Sequence, residues 1–516
     1  MFNKIIIFLT ISSLIFYSLG CSSKYFTTVD ELKLNPKYKI AMVVTNDGTI
    51  YEFNSTMKSN AYLRNNTIEG ITKKRIRVEI PISEVKTLYV WKISRAKTTF
   101  GVIISLVALS LIMSAIQSST DTDHPEPLED SEIYSCPFVY SFDGDQYIFD
   151  AEPYSGAISE GLQRTDICRL ENLEPVDGEY RLLLTNEFDE TQYTDEFKLQ
   201  VVDHPAGVEV IPDAGGNLHT VKDPLKPLTV EDKNGNSVYK WVSEKDYLLW
   251  ESDLNTKDPD NSSDLRDTLL FTFPKPDDAK NAKLVVNSGS ALWGSSMPKK
   301  LLELMGTYSE EWKESLLTKV GRDSLTLWQR REGVYRLQVK VWSNNTWTTR
   351  GEIKGEGPFK VEDRIVPLDL SGVEGDNVKI LLAPPSGFWL INSLALDYSQ
   401  DIPVEINEIS AKTMVGHSGA DLRDILESTD GSYYITPEIG QTAELTFPVP
   451  ELKQGYERTV FAKVSGYYDI HFDATNPPDI VQLLKILSEP GYFVRYALKD
   501  YHKWIEQHVS KSEKQK

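Results

Sequence analysis

Four carboxylates crowd into "FVYSFDGDQYIFDAEPYSG" (138–156): Asp143, Asp145, Asp150 and Glu152. A second acidic run, "NEFDETQYTDE" (186–196), adds Asp189 and Glu190. Hard carboxylate oxygens are what calcium takes, so Asp143, Asp145, Asp189 and Glu190 are the candidate ligands. Neither run carries the further spaced ligands and closing glutamate of a calcium loop. In a strand, Asp143 and Asp145 share one face while Asp150 and Glu152 share another. The spacing therefore favours turn and sheet-rim chemistry, and the chain calls for no cofactor beyond that calcium option.

Other chemistry has less to build on. Ser159, His204 and Asp203 are the one Ser–His–Asp set within reach, yet adjacent Asp and His point to opposite faces of a strand. Seven histidines without an H-E-x-x-H give no zinc-enzyme signature. Cys136 and Cys168 form no C-x-x-C; they pair as a disulfide in an oxidising compartment or stay as buried thiols. The aromatics say more. Trp293, Trp342, Trp389 and Tyr467 fall near strand ends, where aromatic platforms beside carboxylates suit sugars or peptides. The competing reading is that they fill a β core.

These residues sit on a chain written mostly in strands. Between 133 and 210, alternating runs are separated by Asp143-Gly144 and Asp177-Gly178, which favour tight hairpins. Short turns between successive strands argue for antiparallel sheets. Residues 268–293 and 442–468 share a pattern: strand, F-P-x-P, polar loop, strand, then Ser-Gly beside an aromatic. That is an internal repeat of two related β-domains, or two equivalent edges of one larger body. An amphipathic helical stretch covers 297–320, and a C-terminal helix over 479–509 breaks near Glu489-Pro490-Gly491. The segment "LDLSGVEGDNVKILLAPPSGFWLINSLALDYS" (368–399), through Trp389, Ile391, Asn392, Leu394 and Leu396, resembles the closing strands of jelly-roll, galactose-binding-like modules. The resemblance implies a mainly β fold of antiparallel, jelly-roll-like sandwich domains with a few helices.

The chain has 516 residues, enough for three or four domains. Its net charge of −21 is uneven: Ser22–Lys97 carries +7 and residues 98–516 carry −29. So acidic a body disfavours nucleic acid. Lys4 followed by the apolar Ile5–Tyr17 reads as an export signal. Ser18-Leu19-Gly20-Cys21 then resembles the lipobox of bacterial lipoproteins, which implies lipidation at Cys21 and a membrane lipid as partner. Residues 100–116 hold no charge over seventeen positions, the lower limit for a spanning helix. Arg95 and Lys97 before it and Asp121 and Asp123 after it orient the preceding side inward, whereas lipid at Cys21 puts 22–97 outside. A signal anchor, a helix lying against the membrane and a buried helix all remain open.

The expected order is a signal peptide (1–20), a small basic β-domain (21–97), a hydrophobic transmembrane or membrane-associated helix (98–117) and an acidic linker (118–132). A β-domain (133–222) and a β-sandwich with an inserted helix (223–400) follow. Residues 401–477 form a further β-domain or complete the preceding one, and 478–516 are a C-terminal helix and polar tail. The function expected is that of a lipid-anchored cell-envelope lipoprotein, its body periplasmic or extracellular, acting as scaffold or binding module for an envelope protein or glycan rather than as an enzyme. The alternative is a carbohydrate-active or other envelope hydrolase using cross-strand carboxylates.

Overall fold

A computed structural model of the chain describes residues 22–27, 32, 39–47, 49–53, 61–64, 66–72, 76–93, 137–246 and 248–513. The architecture is mainly β. The chain divides into two compact units, Met1–His124 and Pro125–Lys516.

In the first unit, seven strands form one antiparallel sheet: β1 (Ser22–Thr27), β2 (Lys39–Thr45), β3 (Ile50–Glu52), β4 (Ala61–Arg64), β5 (Thr67–Ile71), β6 (Arg77–Pro81) and β7 (Val85–Ile93). Their order is β1-β7-β2-β4-β5-β6, with β3 on β2. Alternate positions such as Ile68, Ile80, Leu88 and Val90 feed its core.

The second unit contains two interlaced modules. The outer one opens with β8 (Phe138–Phe142), β9 (Tyr147–Ala151), β10 (Arg164–Arg169), β11 (Glu179–Thr185) and β12 (Glu190–Pro205). After the hairpin β13 (Glu209–Pro212) and β14 (Leu218–Val221) comes the whole inner module. Its first half is β15 (Thr229–Glu231), β16 (Leu269–Pro274) and β17 (Asn281–Ser290). Its second is β18 (Arg336–Ser343), β19 (Thr346–Lys354), β20 (Glu362–Asp369), β21 (Asn377–Leu382) and β22 (Trp389–Asp397). The chain then returns to the outer module as β23 (Glu405–Ile409), β24 (Thr413–Gly416), β25 (Tyr434–Thr436), β26 (Thr442–Pro448) and β27 (Tyr456–Ile470).

The two modules have matching strand neighbours. One sheet runs β24-β26-β11-β8-β9 in the outer module and β15-β16-β21-β18-β19 in the inner. The other runs β10-β27-β12 and β20-β17-β22, with β23 and β25 added along β12. Apart from those two added strands, only the chain order differs, because the halves are exchanged. The repeat in the sequence marks this equivalence. Pro274 closes β16 and Pro448 closes β26, and in each case the next strand joins the other sheet. A proline has no N–H for the ladder, so it suits a strand's last position before a crossover. Each Ser-Gly lies at a bulge, between Asn287 and Ser288 and opposite Thr194/Glu196. There a side chain at Gly466 would run into the Tyr193 carbonyl. Side chains from both sheets of each module join one buried cluster, Phe271, Val339 and Ile380 with Leu284, Ile391 and Leu394 in the inner case.

Helices follow β17 and β27 in both modules: α1 (Leu292–Met305), α2 (Ser309–Ser315) and α3 (Lys319–Glu332), then α4 (Ile480–Ser488) and α5 (Tyr492–Glu513). Gly333, at φ 73°, ends α3 in the left-handed conformation that glycine adopts without strain. The break between α4 and α5 falls at Glu489–Gly491, where Gly491 N donates to Glu332 Oε2 at 2.8 Å. No helix among the described residues is long and apolar enough to cross a membrane. Among the described residues this corrects the expectation of a transmembrane helix. Residues 98–117, the signal region and Cys21 lie outside the described residues.

Candidate functional site

Three segments far apart in sequence meet at one end of the inner module. The first, Trp250–Asn255, is fastened at both ends. Trp250 and Ile391 exchange backbone hydrogen bonds at 2.8 and 3.0 Å, and Leu254 is buried in the core. The second is the first turn of α1, with Leu292, Trp293 and Ser296. Gly294 permits it to approach closely, since a side chain there would strike Gly387 and Phe388. The third is the stretch of α5 where the half-buried Tyr501 and Trp504 sit one turn apart.

Together they line a cleft of about 500 Å³. Trp293 donates its indole N–H to Ala497 O at 2.9 Å, which fixes the ring against α5. Tyr501 stands edge-on to it at 5.2 Å, and Trp504 lies 6.1 Å away. Facing these rings are Glu251, Asp253 and Asn255. Tyr501 Oη donates to Asn255 Oδ1 at 3.2 Å, and Asp253 accepts from Asn255 N, also at 3.2 Å. The protein atoms crowding the Glu251 carboxyl push its pKa above the usual range. Burial also raises the Tyr501 phenol, with the negative field of Asp253 and Glu251 adding to it. Apolar ring faces beside carboxylates and an amide can stack a sugar ring and bind its hydroxyls.

A second polar feature lies between the modules. Glu152 of the outer module lies in the field of Glu356 and Glu362 from the inner, and Glu190 lies in the field of Glu152. Arg364 meets Glu356 at 2.9 Å and Glu362 at 3.6 Å, and Arg164 meets Glu356 at 3.4 Å. Asp150 is fully buried yet well supplied: it accepts from Glu171 N, Asn172 N and Asn172 Nδ2, and pairs with Lys360 at 3.1 Å. Glu152 accepts from Phe359 N at 3.2 Å, and Gly357 leaves the room its carboxylate occupies. One oxygen each of Glu152, Glu190 and Glu362 has no hydrogen-bond partner among the described residues. Burial is the first cause raising all three carboxyls: Glu152 and Glu190 well above the usual range, and Glu362 to about 7. Neighbouring carboxylates add to it: Glu362 and Glu356 at Glu152, Glu152 and Asp189 at Glu190, Glu356 and Asp363 at Glu362.

No protein-family model matches the chain, and no curated protein does. Among solved structures, a β-porphyranase of glycoside hydrolase family 86 from the human gut bacterium Bacteroides plebeius is similar at 8% identity. The match covers 46% of this chain and has a TM-score of 0.17. The chain spans 37% of that enzyme's length. A likeness at that level says nothing of what this chain does.

The residues singled out by sequence are scattered. Of the four aromatics, only Trp293 lines the cleft. Trp342 is 38% exposed on the β18–β19 hairpin, edge-on to Trp347 at 5.3 Å. Trp389 is buried with its N–H on Gly333 O, and Tyr467 is buried and stacked on Tyr193 at 4.5 Å. Asp143 holds its own turn, accepting from Asp145 N and Gln146 N at 2.8 Å. Asp189 pairs with His471 at 2.6 Å, while Glu190 is fully buried beside Gln192. No three His, Cys, Asp or Glu side chains among the described residues are placed to hold a metal ion. Asp203 is taken by Arg458 and His204 by Thr459, so neither serves Ser159. Cys168 is a buried free thiol, and Cys136 lies outside the described residues. Sequence reasoning missed Glu251, Asp253, Asn255, Tyr501 and Trp504. The signals available were the Trp-Glu-Ser-Asp run at 250–253 and the aromatic pair three apart on a helix.

Proposed function

We propose that the 125–516 body is a glycan-binding module of a cell-envelope lipoprotein, with the Trp293 cleft as its ligand site. The two modules are read as jelly-roll-like sandwiches that hold the cleft rigid. The supporting observation is the cleft's makeup: three half-buried aromatic rings facing two carboxylates and an amide. In the full-length chain, Trp293→Ala is expected to weaken binding of a responsive oligosaccharide about tenfold, some 1.4 kcal/mol. Trp342→Ala should leave it unchanged. Calorimetric titration reads both, and loss of binding in the Trp342 variant alone would sink the assignment.

Hydrolysis is the second reading. It is favoured by Glu251, whose carboxyl pKa is raised by burial in the direction that suits an acid catalyst, beside Asp253 in the same cleft. Glu251→Gln then abolishes release of new reducing ends while retaining binding; a chain that never releases them is a binder. Anchoring through Cys21 is proposed from the lipobox resemblance. Labelled palmitate is expected to enter the wild-type protein and not Cys21→Ala, and label retained in that variant rules the anchor out.

A further inference from the structure

The cleft does not end at Glu251. The segment Glu251–Ser252–Asp253 is a ridge with a second trough of about 300 Å³ on its other side. Both hollows share those three residues, and each has a tryptophan, Trp293 in the cleft and Trp250 in the trough. The trough is polar. Lys233 is paired with Asp264 at 3.2 Å, Lys257 is paired with Asp267, and Ser252 Oγ donates to Asp267 at 2.7 Å. These pairs cancel in charge. The carboxylates of Asp232, Glu251 and Asp253 are left as the net charge of the wall.

We infer that cleft and trough form one groove, which takes an uncharged or amine-bearing oligosaccharide long enough to cross the ridge and rejects acidic ones. The inference rests on the glycan reading of the cleft and extends it. A ring stacked at Trp293 and Tyr501 points its next units over Ser252, toward the hydrogen-bonding groups of Lys233 and Asn234. A uronic acid or sulfated unit there would meet the ridge carboxylates with like charge, while both trough lysines are already paired. An uncharged unit meets no such repulsion, and an ammonium group is attracted.

The test titrates the full-length chain with a chito-disaccharide, a chito-hexasaccharide, the deacetylated hexasaccharide and an oligogalacturonate. The hexasaccharide, acetylated or not, is expected to bind about tenfold or more tighter than the disaccharide, and the oligogalacturonate not at all. The double variant Lys233→Ala/Asn234→Ala, on exposed trough residues, should erase the gain with length and leave disaccharide binding unchanged. Equal affinity for short and long oligomers, with Trp293→Ala still weakening both, overturns the groove while the cleft stands. Tight binding of the oligogalacturonate overturns the charge selection. Binding of every oligomer indifferent to Trp293→Ala overturns the cleft reading and the groove with it.

Discussion

Phe493→Ala is expected to cost the 125–516 body about 3–5 kcal/mol of stability, the range for emptying a fully buried aromatic site. Phe493 has no exposed surface and lies in the inner module's core, 5.2 Å from the Trp328 ring and 5.6 Å from Phe388. Val494, Ala497 and Leu498 are buried with it, so one stripe of α5 completes a core that the strands begin. The neighbouring helices are tied to the same place: Trp328 and Arg331 of α3 both donate to Ile486 O of α4. Small folded bodies have only about 5–15 kcal/mol in total, so the change removes a large share. Urea unfolding followed by tryptophan fluorescence measures it. Leu327→Ala, on the outer face of α3 and 66% exposed, is the comparison and should shift stability by under about 0.5 kcal/mol. Equal losses in the two variants would mean that α5 is an appendage, not part of the core.

The same helix carries Tyr501 and Trp504, so its packing and the ligand cleft are linked. A ligand that binds only the folded cleft raises the unfolding midpoint through mass action. Wild type and the Leu327 variant share that shift, because neither disturbs the cleft wall.

Local features of this architecture were legible in the residues. Alternation, Asp-Gly turns and the F-P-x-P repeat each rest on short-range backbone preferences, which a sequence displays directly. Asp177 and Gly178, for example, take φ of 53° and 78°, the tight reversal their types favour. Pairing is another matter. Residues 190–205 of β12 run along 456–470 of β27, and nothing local in either strand names the other. Hence the interlacing was hidden, although its two equivalent strand pairs were visible as a repeat. The cleft was hidden for the same reason, being assembled from 250–255, 292–296 and 501–504. Acidic residues misled in a different way. Asp150, Glu152 and Glu190 look like rim residues by type, yet all are buried. Cations and backbone amides that reach Asp150 and Glu152 from 357–360 lie some two hundred positions away.

That buried group governs the expected pH dependence. The folded state holds the Glu362 carboxyl at about 7 against an ordinary value of 4.5. Burial is the main cause. Glu356 and Asp363 push the same way, and Lys360 and Arg364 oppose them. The native protein therefore keeps a proton that the unfolded chain has released. Below pH 4.5 both states hold it and the site's contribution is fully present. As pH rises from 4.5 to about 7 the unfolded chain alone loses it, so stability falls across that window and levels off above. Each pH unit of that window is worth about 1.4 kcal/mol, so this one group accounts for a drop on the order of 3 kcal/mol. Glu152 and Glu190 are raised by burial too and act in the same direction. Glu362→Gln cannot ionise, so its stability curve should be flatter through the window. At pH 8 it is expected to exceed wild type by about 3 kcal/mol, the full drop, because the pull of Lys360 and Arg364 on the charged carboxylate is already contained in the raised value. At pH 4 the two proteins should unfold together. Denaturant midpoints taken across this range decide the matter. A Gln variant less stable than wild type at pH 8, with an unchanged slope, would show that the charged carboxylate is a favourable partner of Arg364 and Lys360 and not a destabilised group between the modules.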